Sequence, residues 1–428
     1  MNEFLRYYAK NNFATTRYIQ RISGLYKLSE DELYSLYEAE FLKLFRRSIK
    51  HSPFYRKLYL QKSIGLNDVR RLEDIQKLPI LTKEDIKAHS NEIHNGLSHI
   101  SVKGFTSGTT GTPLTLFRNP LNIAKEQAYI RYYRSQMGYK IGQPLLSIRG
   151  TLGKATPYEY FKKANILYIS SPNINSSTIE MYYQMVKDFA PVAVEAYPSY
   201  LHKFCLELRH KGLELQIPNA FTSSETLMVY QREMVEPFLK TVIHDWYGNA
   251  ERSILLAQNK EQRYEPLPLY SINEFHEDHV VTTNLINTRF PLIRYVVDDV
   301  IEVASQDFRT NILKPDILSI KGRASDNVIL KDGSWVGCMD HAFKGVPNIE
   351  MAQIHQYDVL QPIEIKLVVN TSYTKNNEEQ LQANLVRMLG TATPFFFTYC
   401  DKSALTYTAN EKFSLIIKKK TEIQPSLS

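Results

Sequence analysis

Apolar residues recur at helical spacing along the first part of the chain. Ser29 followed by Glu32 forms a capping box, and the pattern behind it predicts helix over residues 29–60. The apolar stripe of this region consists of Leu33, Leu36, Phe41, Leu42 and Phe45. Pro53 breaks the pattern, because proline lacks the amide hydrogen that a helix interior needs. Another helix is predicted over residues 121–137.

The middle of the chain alternates between short apolar runs and helix-like stretches. The apolar runs are Leu145–Ile148, Ile166–Ile169, Val192–Ala196 and Thr241–His244. The helix-like stretches cover residues 176–189, 199–211 and 225–239. Gly212 stands where a glycine commonly ends a helix, and Ser224 stands where a serine commonly starts one. Strands that alternate with helices indicate a layered α/β sheet.

From about residue 264 the pattern becomes β-rich. The apolar runs here are Val280–Ile286, Leu292–Val303 and Ile317–Ile320. The polar segment at 321–327 reads as a break, and a smaller α+β region follows it. We therefore predict an α/β fold with a large layered N-terminal domain of mixed sheets and helices, residues 1–321, and a small mobile C-terminal α+β domain, residues 322–428.

Composition narrows the class of protein. The chain has 428 residues, of which 43% are hydrophobic and 23% charged, as in globular proteins. No apolar run approaches the ~18 residues of a membrane-spanning helix, and the N-terminus lacks the apolar core of a secretory signal. Three widely separated cysteines favour a reducing, cytoplasmic location and provide no zinc cluster. The net charge of +7 is spread along the chain, so we expect no nucleic-acid groove.

The segment at 105–113, FTSGTTGTP, carries the strongest chemical signal. Its glycines let the backbone approach an anion closely, and successive N–H groups in such turns form a concave anion site. The candidate phosphate-binding residues are Thr106, Ser107, Gly108, Thr109, Thr110, Gly111 and Thr112. The alternative is a plain hairpin turn, but the order of the residues favours a phosphate loop. The chain lacks the Walker and dinucleotide-binding glycine motifs, which disfavours those classes.

Two later segments add candidate residues. The sequence DWYGNAE at 245–251 follows an apolar run and could be only a turn. It could also place Tyr247 against a purine ring and Glu251 on Mg²⁺, which prefers carboxylate and phosphate oxygens. The sequence RYVVDDV at 294–300 contains adjacent aspartates within a β-rich run, where carboxylates need partners.

Together these segments resemble the motifs of the adenylate-forming superfamily, which includes acyl-coenzyme A ligases, peptide-synthetase adenylation domains and luciferases. The chain is most similar to the phenylacetate–coenzyme A ligase branch, and within it to the CapK-like proteins encoded with capsular polysaccharide genes. The resemblance runs in order from about residue 30 to residue 417 and is strongest in the central motifs.

The resemblance implies a role for each matching residue. Glu251 falls at the Mg²⁺-binding position of the Y-G-x-x-E motif, and Asp299 falls at the ribose-binding position of R-Y-x-x-x-D. Asp298 departs from the pattern, which usually has glycine there. The nucleotide-binding set further includes Ser223, Ser224, Glu225, Asp245, Tyr247, Gly248, Asn249 and Arg323. Tyr197 and Ser199 fall at the positions that shape the acyl pocket in the family. Arg149 could bind an acidic or sugar-like group.

Two further motifs lie in the C-terminal part. The sequence at 322–326 resembles the G-R-x-x-D hinge between the large and small domains, with Ser325 and Asp326 at the hinge. The sequence TANEKFSLII resembles the segment that carries the catalytic lysine, and it places Lys412 in that role, with Glu411 replacing the usual glycine. Lys418 and Lys419 are the alternatives.

The resemblance implies an AMP-forming ligase that uses ATP and Mg²⁺. A carboxylate would attack the α-phosphate, pyrophosphate would leave, and the acyl-adenylate would pass its acyl group to an amine, a hydroxyl or coenzyme A. Amide or ester formation in capsular polysaccharide biosynthesis is the first expectation, and an aryl- or acyl-coenzyme A ligase is the alternative. A nucleotide-binding scaffold without turnover is the third.

Overall fold

The computed structural model describes residues 12–95, 101–105, 114–150, 152, 156–323, 328–331, 335–336, 339–343, 345–407 and 413–418. Within these ranges, no helix is both long and apolar enough to cross a bilayer. The chain divides into two compact units. The first comprises residues 1–143, 162–165 and 244–320, and the second comprises 144–161, 166–243 and 321–428. The domain boundary expected after residue 321 stays a prediction.

The helices are mixed with strands throughout, as the α/β prediction requires. The helices are α1 Phe13–Leu25, α2 Glu30–His51, α3 Pro53–Gln61, α4 Lys83–Ile93, α5 Pro120–Gln136, α6 Ile179–Phe189, α7 Pro198–His210, α8 Val229–Leu239, α9 Phe308–Leu313 and α10 Lys375–Leu389. The strands of the first half are β1 Val102–Phe105, β2 Thr115–Arg118, β3 Leu145–Arg149, β4 Tyr158–Phe161, β5 Ile166–Ser170, β6 Ala193–Ala196, β7 Asn219–Ser223 and β8 Val242–Gly248. Those that follow are β9 Leu255–Gln258, β10 Tyr264–Pro266, β11 Ser271–Phe275, β12 Val280–Asn284, β13 Tyr295–Val297, β14 Asp299–Val303, β15 Ile317–Arg323, β16 Val328–Ile329, β17 Trp335–Val336, β18 Ile349–Gln356, β19 Ile363–Val369, β20 Phe395–Tyr399 and β21 Ile416–Lys418.

The N-terminal helices form as their sequence signals predict. The Ser29 amide donates to Glu32 at 2.8 Å, and the Glu32 amide donates back to Ser29 at 3.3 Å, so the capping box is present. Pro53 ends one helix and also begins the next, because a proline fits the first helical position, where its missing N–H costs nothing. Their apolar faces join one core within the first unit.

In the first unit, β11, β12 and β13 form an antiparallel sheet, and β9 pairs antiparallel with both β8 and β10. A buried ion pair lies beside the three-stranded sheet. Arg294 donates through Nε and Nη2 to the two carboxylate oxygens of Glu274, each at 3.0 Å. Its Nη1 also donates to the carbonyls of Gln76 and Leu78. This arginine therefore ties the sheet to the segment that follows α3.

In the second unit, β5, β3, β6 and β7 run parallel and in that order, and β4 pairs antiparallel with β5 at the edge. Residues of α6, α7 and α8 pack against the apolar face of these strands. A separate sheet has the order β20-β19-β18-β21 and shares a core with α10.

A cluster of charged side chains joins α7 to β18 in the second unit. Lys402 Nζ lies 3.1 Å from a Glu207 oxygen and 3.8 Å from a Glu350 oxygen. Glu350 also pairs with His210 at 2.8 Å. The side chains of Glu207 and Glu350 are only 11% and 7% exposed, so their charges depend on these partners.

We expect the Lys402→Met variant to unfold at a lower urea concentration than the wild type. The change leaves two buried carboxylates without their shared cation, which costs about 1–3 kcal/mol. Lys375→Met is the matched control. The Lys375 side chain is 87% exposed and lies 4.0 Å from Glu379, so this pair contributes little to stability. Equal midpoints for the two variants would show that the cluster does not stabilise this unit.

Two sequence predictions need correction. The helix expected over 225–239 begins at Val229, and Ser224 is not its N-cap but adopts a left-handed conformation, with φ of 70°. The run Leu292–Val303 is not one strand, since β13 and β14 divide it. β15 continues to Arg323, and the rest of the segment expected to form a break, residues 324–327, lies outside the described residues.

Candidate functional site

The predicted phosphate loop, Thr106 to Thr112, lies outside the described residues, and so do Ser325, Asp326, Lys412 and the side chain of Arg323. Its flanking strands are described. β1 and β2 pair antiparallel, and Phe105 opposite Thr115 is the pair nearest the loop. The loop therefore joins the two strands of a hairpin, within the first unit.

The turn that carries Glu251 is held by several interactions within the first unit. The Asn249 side chain bonds both the hydroxyl and the amide of Ser253, at 2.8 and 2.9 Å. Arg118, from β2 of the loop hairpin, donates to the carbonyl of Ala250. Arg252 adopts a left-handed conformation and pairs with Glu126. These contacts fix the backbone on both sides of the predicted metal ligand.

Glu251 is oriented by Tyr295. The phenol of Tyr295 donates to Glu251 Oε1 at 3.1 Å, and Tyr295 is 3% exposed. The described residues contain no cluster of three or more acidic, histidine or cysteine side chains that could hold a metal ion. A single half-buried carboxylate nevertheless suits Mg²⁺, which takes most of its other ligands from phosphate and water. Sequence reasoning missed Tyr295, although it stands in the RYVVDDV motif.

The predicted purine and ribose residues lie next to each other. Tyr247, near the end of β8, donates its phenol hydrogen to Asp299 Oδ2 at 2.5 Å. Asp299 begins β14, and the ring of Tyr247 packs on the apolar cluster that contains Ile254. Asp298 is exposed and does not adopt a left-handed conformation, so this position accepts an aspartate in place of the family's usual glycine.

Asp245 already has strong partners within its own unit. It is 3% exposed and accepts a hydrogen bond from the Tyr264 phenol at 2.5 Å. Its amide donates to the side chain of Gln258 at 3.1 Å, across the β8–β9 pair. These bonds fix the strand that ends at Tyr247 and Gly248. A direct contact of Asp245 with nucleotide stays a prediction.

In the second unit, predicted site residues lie at the carboxyl ends of the parallel strands. Arg149 ends β3, Tyr197 follows β6, and Ser223 ends β7. Ligands of parallel α/β sheets bind at this edge. The helix-like stretch predicted over 199–211 is α7, which has Pro198 at its first helical position.

Glu225 has a role at this edge that the sequence did not reveal. Its Oε2 accepts a hydrogen bond from the Ser199 amide at 3.1 Å. Tyr197, the residue that precedes α7, makes no side-chain cap of its own, so Glu225 supplies the acceptor from another segment. An anion is favourable at a helix N-terminus. The left-handed conformation of Ser224 places this turn among the strained backbone positions that often occur at functional sites.

Tyr407 and Phe413 are the described residues on either side of the segment that carries Lys412. Tyr407 and Phe413 form an antiparallel bridge, and their ring centroids lie 5.9 Å apart. Residues 408–412 therefore connect two paired positions. Burial raises the pKa of Tyr407, and the charge of Glu225 raises it further.

Comparisons with known proteins give the fold and the relatives of the chain. No family model matches it. Protein CapK of Staphylococcus aureus is 24% identical over 422 residues, which span 94% of this chain and 92% of that protein. Phenylacetate-coenzyme A ligase of Thermus thermophilus is 23% identical over 338 residues, which span 71% and 73%. The crystal structure of 2-hydroxyisobutyryl-CoA ligase in the postadenylation state, with R3-HIB-AMP, matches with a TM-score of 0.72 at 14% identity and covers 90% of each chain.

These comparisons confirm two of the sequence predictions. The structural match confirms the α/β fold. The sequence matches confirm the resemblance to CapK-like proteins and to the phenylacetate–coenzyme A ligase branch.

Proposed function

We propose that this chain, with the fold and the relatives of the adenylate-forming superfamily, is a ligase that activates a carboxylic acid with ATP. A carboxylate oxygen attacks the α-phosphorus, the bond to the bridging oxygen breaks, and pyrophosphate leaves. The product is an acyl-adenylate. The nucleophile is already ionised at neutral pH, so the enzyme needs no general base for this step.

One observation supports this proposal most strongly, namely the arrangement of the predicted nucleotide residues in the first unit. Asp299 offers a carboxylate to the ribose hydroxyls, and its bond to Tyr247 orients that carboxylate beside an aromatic ring. Glu251, held by Tyr295, is the candidate Mg²⁺ ligand. Bound Mg²⁺ would neutralise charge on the phosphates. The chain's own contribution is to hold the nucleotide and the acid in line, which can lower the barrier by about 7–11 kcal/mol.

The acceptor distinguishes two versions of this function. In the first version the acyl group passes to an amine or a hydroxyl on a sugar. In the second it passes to coenzyme A, which agrees with the similarity to phenylacetate-coenzyme A ligase. A screen for AMP formation with a panel of hydroxy acids, amino acids and uronic acids tests adenylation itself. Repeating the screen with coenzyme A or amino sugars added separates the acceptors. If no acid supports AMP formation, the scaffold alternative replaces this proposal.

We expect Asp299→Ala to weaken ATP binding by about 10- to 100-fold, because it removes a charged acceptor for two ribose hydroxyls. Isothermal titration with Mg·ATP measures the change. Asp298→Ala is the matched control, since Asp298 is the adjacent, exposed carboxylate. Identical affinities for the two variants would contradict the ribose-binding role of Asp299.

A further inference from the structure

One face of the parallel sheet in the second unit carries a row of polar side chains. Tyr168 of β5, Ser147 of β3 and Glu195 of β6 are register neighbours, so they lie side by side on the same face. Arg149 stands two residues after Ser147 and shares this face at the carboxyl end of β3. Leu146 and Ile148, on either side of Ser147, face the opposite way, into the core. The sequence thus builds a polar face where an α/β sheet binds ligands.

The side chain of Arg149 is held in place by all three neighbours. Its Nε donates to Ser147 Oγ at 3.0 Å, and its Nη2 donates to Glu195 Oε1 at 3.2 Å. Ser147 also donates to the same Glu195 oxygen, at 2.8 Å. The guanidinium lies 4.6 Å from the ring centre of Tyr168. The side chain is still 53% exposed, so this positioned cation remains accessible.

The acidic residues near Arg149 limit which ligand groups it can bind. Glu195 offsets the charge of Arg149 at 3.2 Å, and Glu225 accepts a hydrogen bond from the amide of Ser199, two residues after Tyr197. A second carboxylate on the ligand would meet these two acidic groups. A hydroxyl group both donates and accepts, so it can bond to the guanidinium and to the carboxylate together.

Aromatic rings border this polar pair. Tyr197 and Tyr200 lie with ring centres 5.0 Å apart, and Tyr168 lies under Arg149. Gly150 lets the Tyr200 hydroxyl approach the end of β3, because a Cβ at this position would be 3.3 Å from that oxygen. Tyrosine rings offer flat apolar surface for C–H groups and hydroxyls for polar ones.

We propose that Arg149, Glu195 and Tyr168 form a subsite that recognises hydroxyl groups on the acyl part of the substrate. The activated acid then carries several hydroxyls and no charge other than its carboxylate. This inference rests on the proposed function and extends it, because it names the class of acid that this carboxyl edge accepts.

A pair of acids that differ only in hydroxyl groups tests the inference. Glucuronate in its ring form and tetrahydropyran-2-carboxylate share the ring and the carboxylate, but only the first carries hydroxyls. Each acid is titrated against the full-length protein by saturation-transfer NMR, and each is also assayed for ATP–pyrophosphate exchange. We expect glucuronate to bind and react about 10- to 100-fold better, the range expected for hydrogen bonds to charged groups.

Variants test which residues cause the preference for glucuronate. Arg149→Ala and Glu195→Gln should each reduce the ratio between the two acids to about threefold or less, since both partners are needed. Lys187→Ala is the matched control. Lys187 also lies over a tyrosine ring, that of Tyr183, but it is exposed on α6, and the ratio should not change. A ratio is insensitive to a general loss of active protein.

Three results would overturn the inference. One is equal binding of the two acids to the wild type, and another is an unchanged ratio in both subsite variants. The third is tighter binding of glutarate, a dicarboxylate, than of glucuronate. Binding is read without turnover, so absence of pyrophosphate exchange with every acid would reject the proposed function, while the NMR ratio would still support or overturn the subsite.

Discussion

Lys412→Ala should lower ATP–pyrophosphate exchange by about 10²–10³-fold, which is the usual cost of removing a preorganised group that stabilises transition-state charge. The assignment comes from the family resemblance of the TANEKFSLII segment. ATP binding in the absence of the acid should remain within a few-fold of the wild type.

The neighbouring lysines provide the controls for this experiment. Lys418→Ala and Lys419→Ala change residues of the same charge within a few positions, and both should retain exchange. If Lys412→Ala exchanges at the wild-type rate while one of the others is inactive, the catalytic lysine has been placed at the wrong position. If all three retain exchange, the segment does not supply the catalytic cation.

Arg294→Met should lower the free energy of unfolding by about 3–5 kcal/mol, because it leaves Glu274 buried without its cation. The pair is bidentate, and the two side chains are 11% and 6% exposed. The variant also loses the bonds to two backbone carbonyls. Urea unfolding at neutral pH measures the change. Arg309→Met, which removes an exposed pair with Asp31, should cost less than about 1 kcal/mol.

The same variant should show a defined pH dependence. Burial raises the pKa of Glu274 even with Arg294 beside it, and removal of the cation raises it further. Below the unfolded-state pKa the carboxyl is protonated in both states, so its burial costs no charge-related stability. As pH rises above that pKa, the raised folded-state pKa lowers the free energy of unfolding. The stability gap between variant and wild type should therefore narrow from neutral pH towards pH ~4.3, the ordinary pKa of glutamate. A gap that is constant with pH would contradict a charge-based role.

Local signals in the sequence predicted much of the fold. The capping box at Ser29, the left-handed glycine after α7 and the proline at its first position each depend on a few neighbouring residues. The start of α8 could not be predicted in this way. Ser224 looks like an N-cap, but its left-handed conformation lets Glu225 cap a different helix, and no local pattern encodes that contact.

The candidate site was predictable to a similar degree. The family motifs named Tyr247, Glu251 and Asp299, and the structure shows the first and the last in direct contact. Tyr295 and Glu195 were missed as supporting residues. Tyr295 acts across 44 positions and Glu195 across 46, and a hydrogen bond of that separation leaves no periodic or motif signal in one sequence.

Arg294 and Tyr295 are adjacent in the sequence but have different roles. Arg294 holds a buried ion pair, and Tyr295 orients the candidate magnesium ligand. In a saturation mutagenesis screen both codons would appear intolerant, yet for different reasons. Substitutions of Arg294 should lower the cellular abundance of the protein. Tyr295→Phe should leave abundance normal but impair turnover. Any fitness map of this protein therefore needs a separate expression score before intolerance is equated with catalysis.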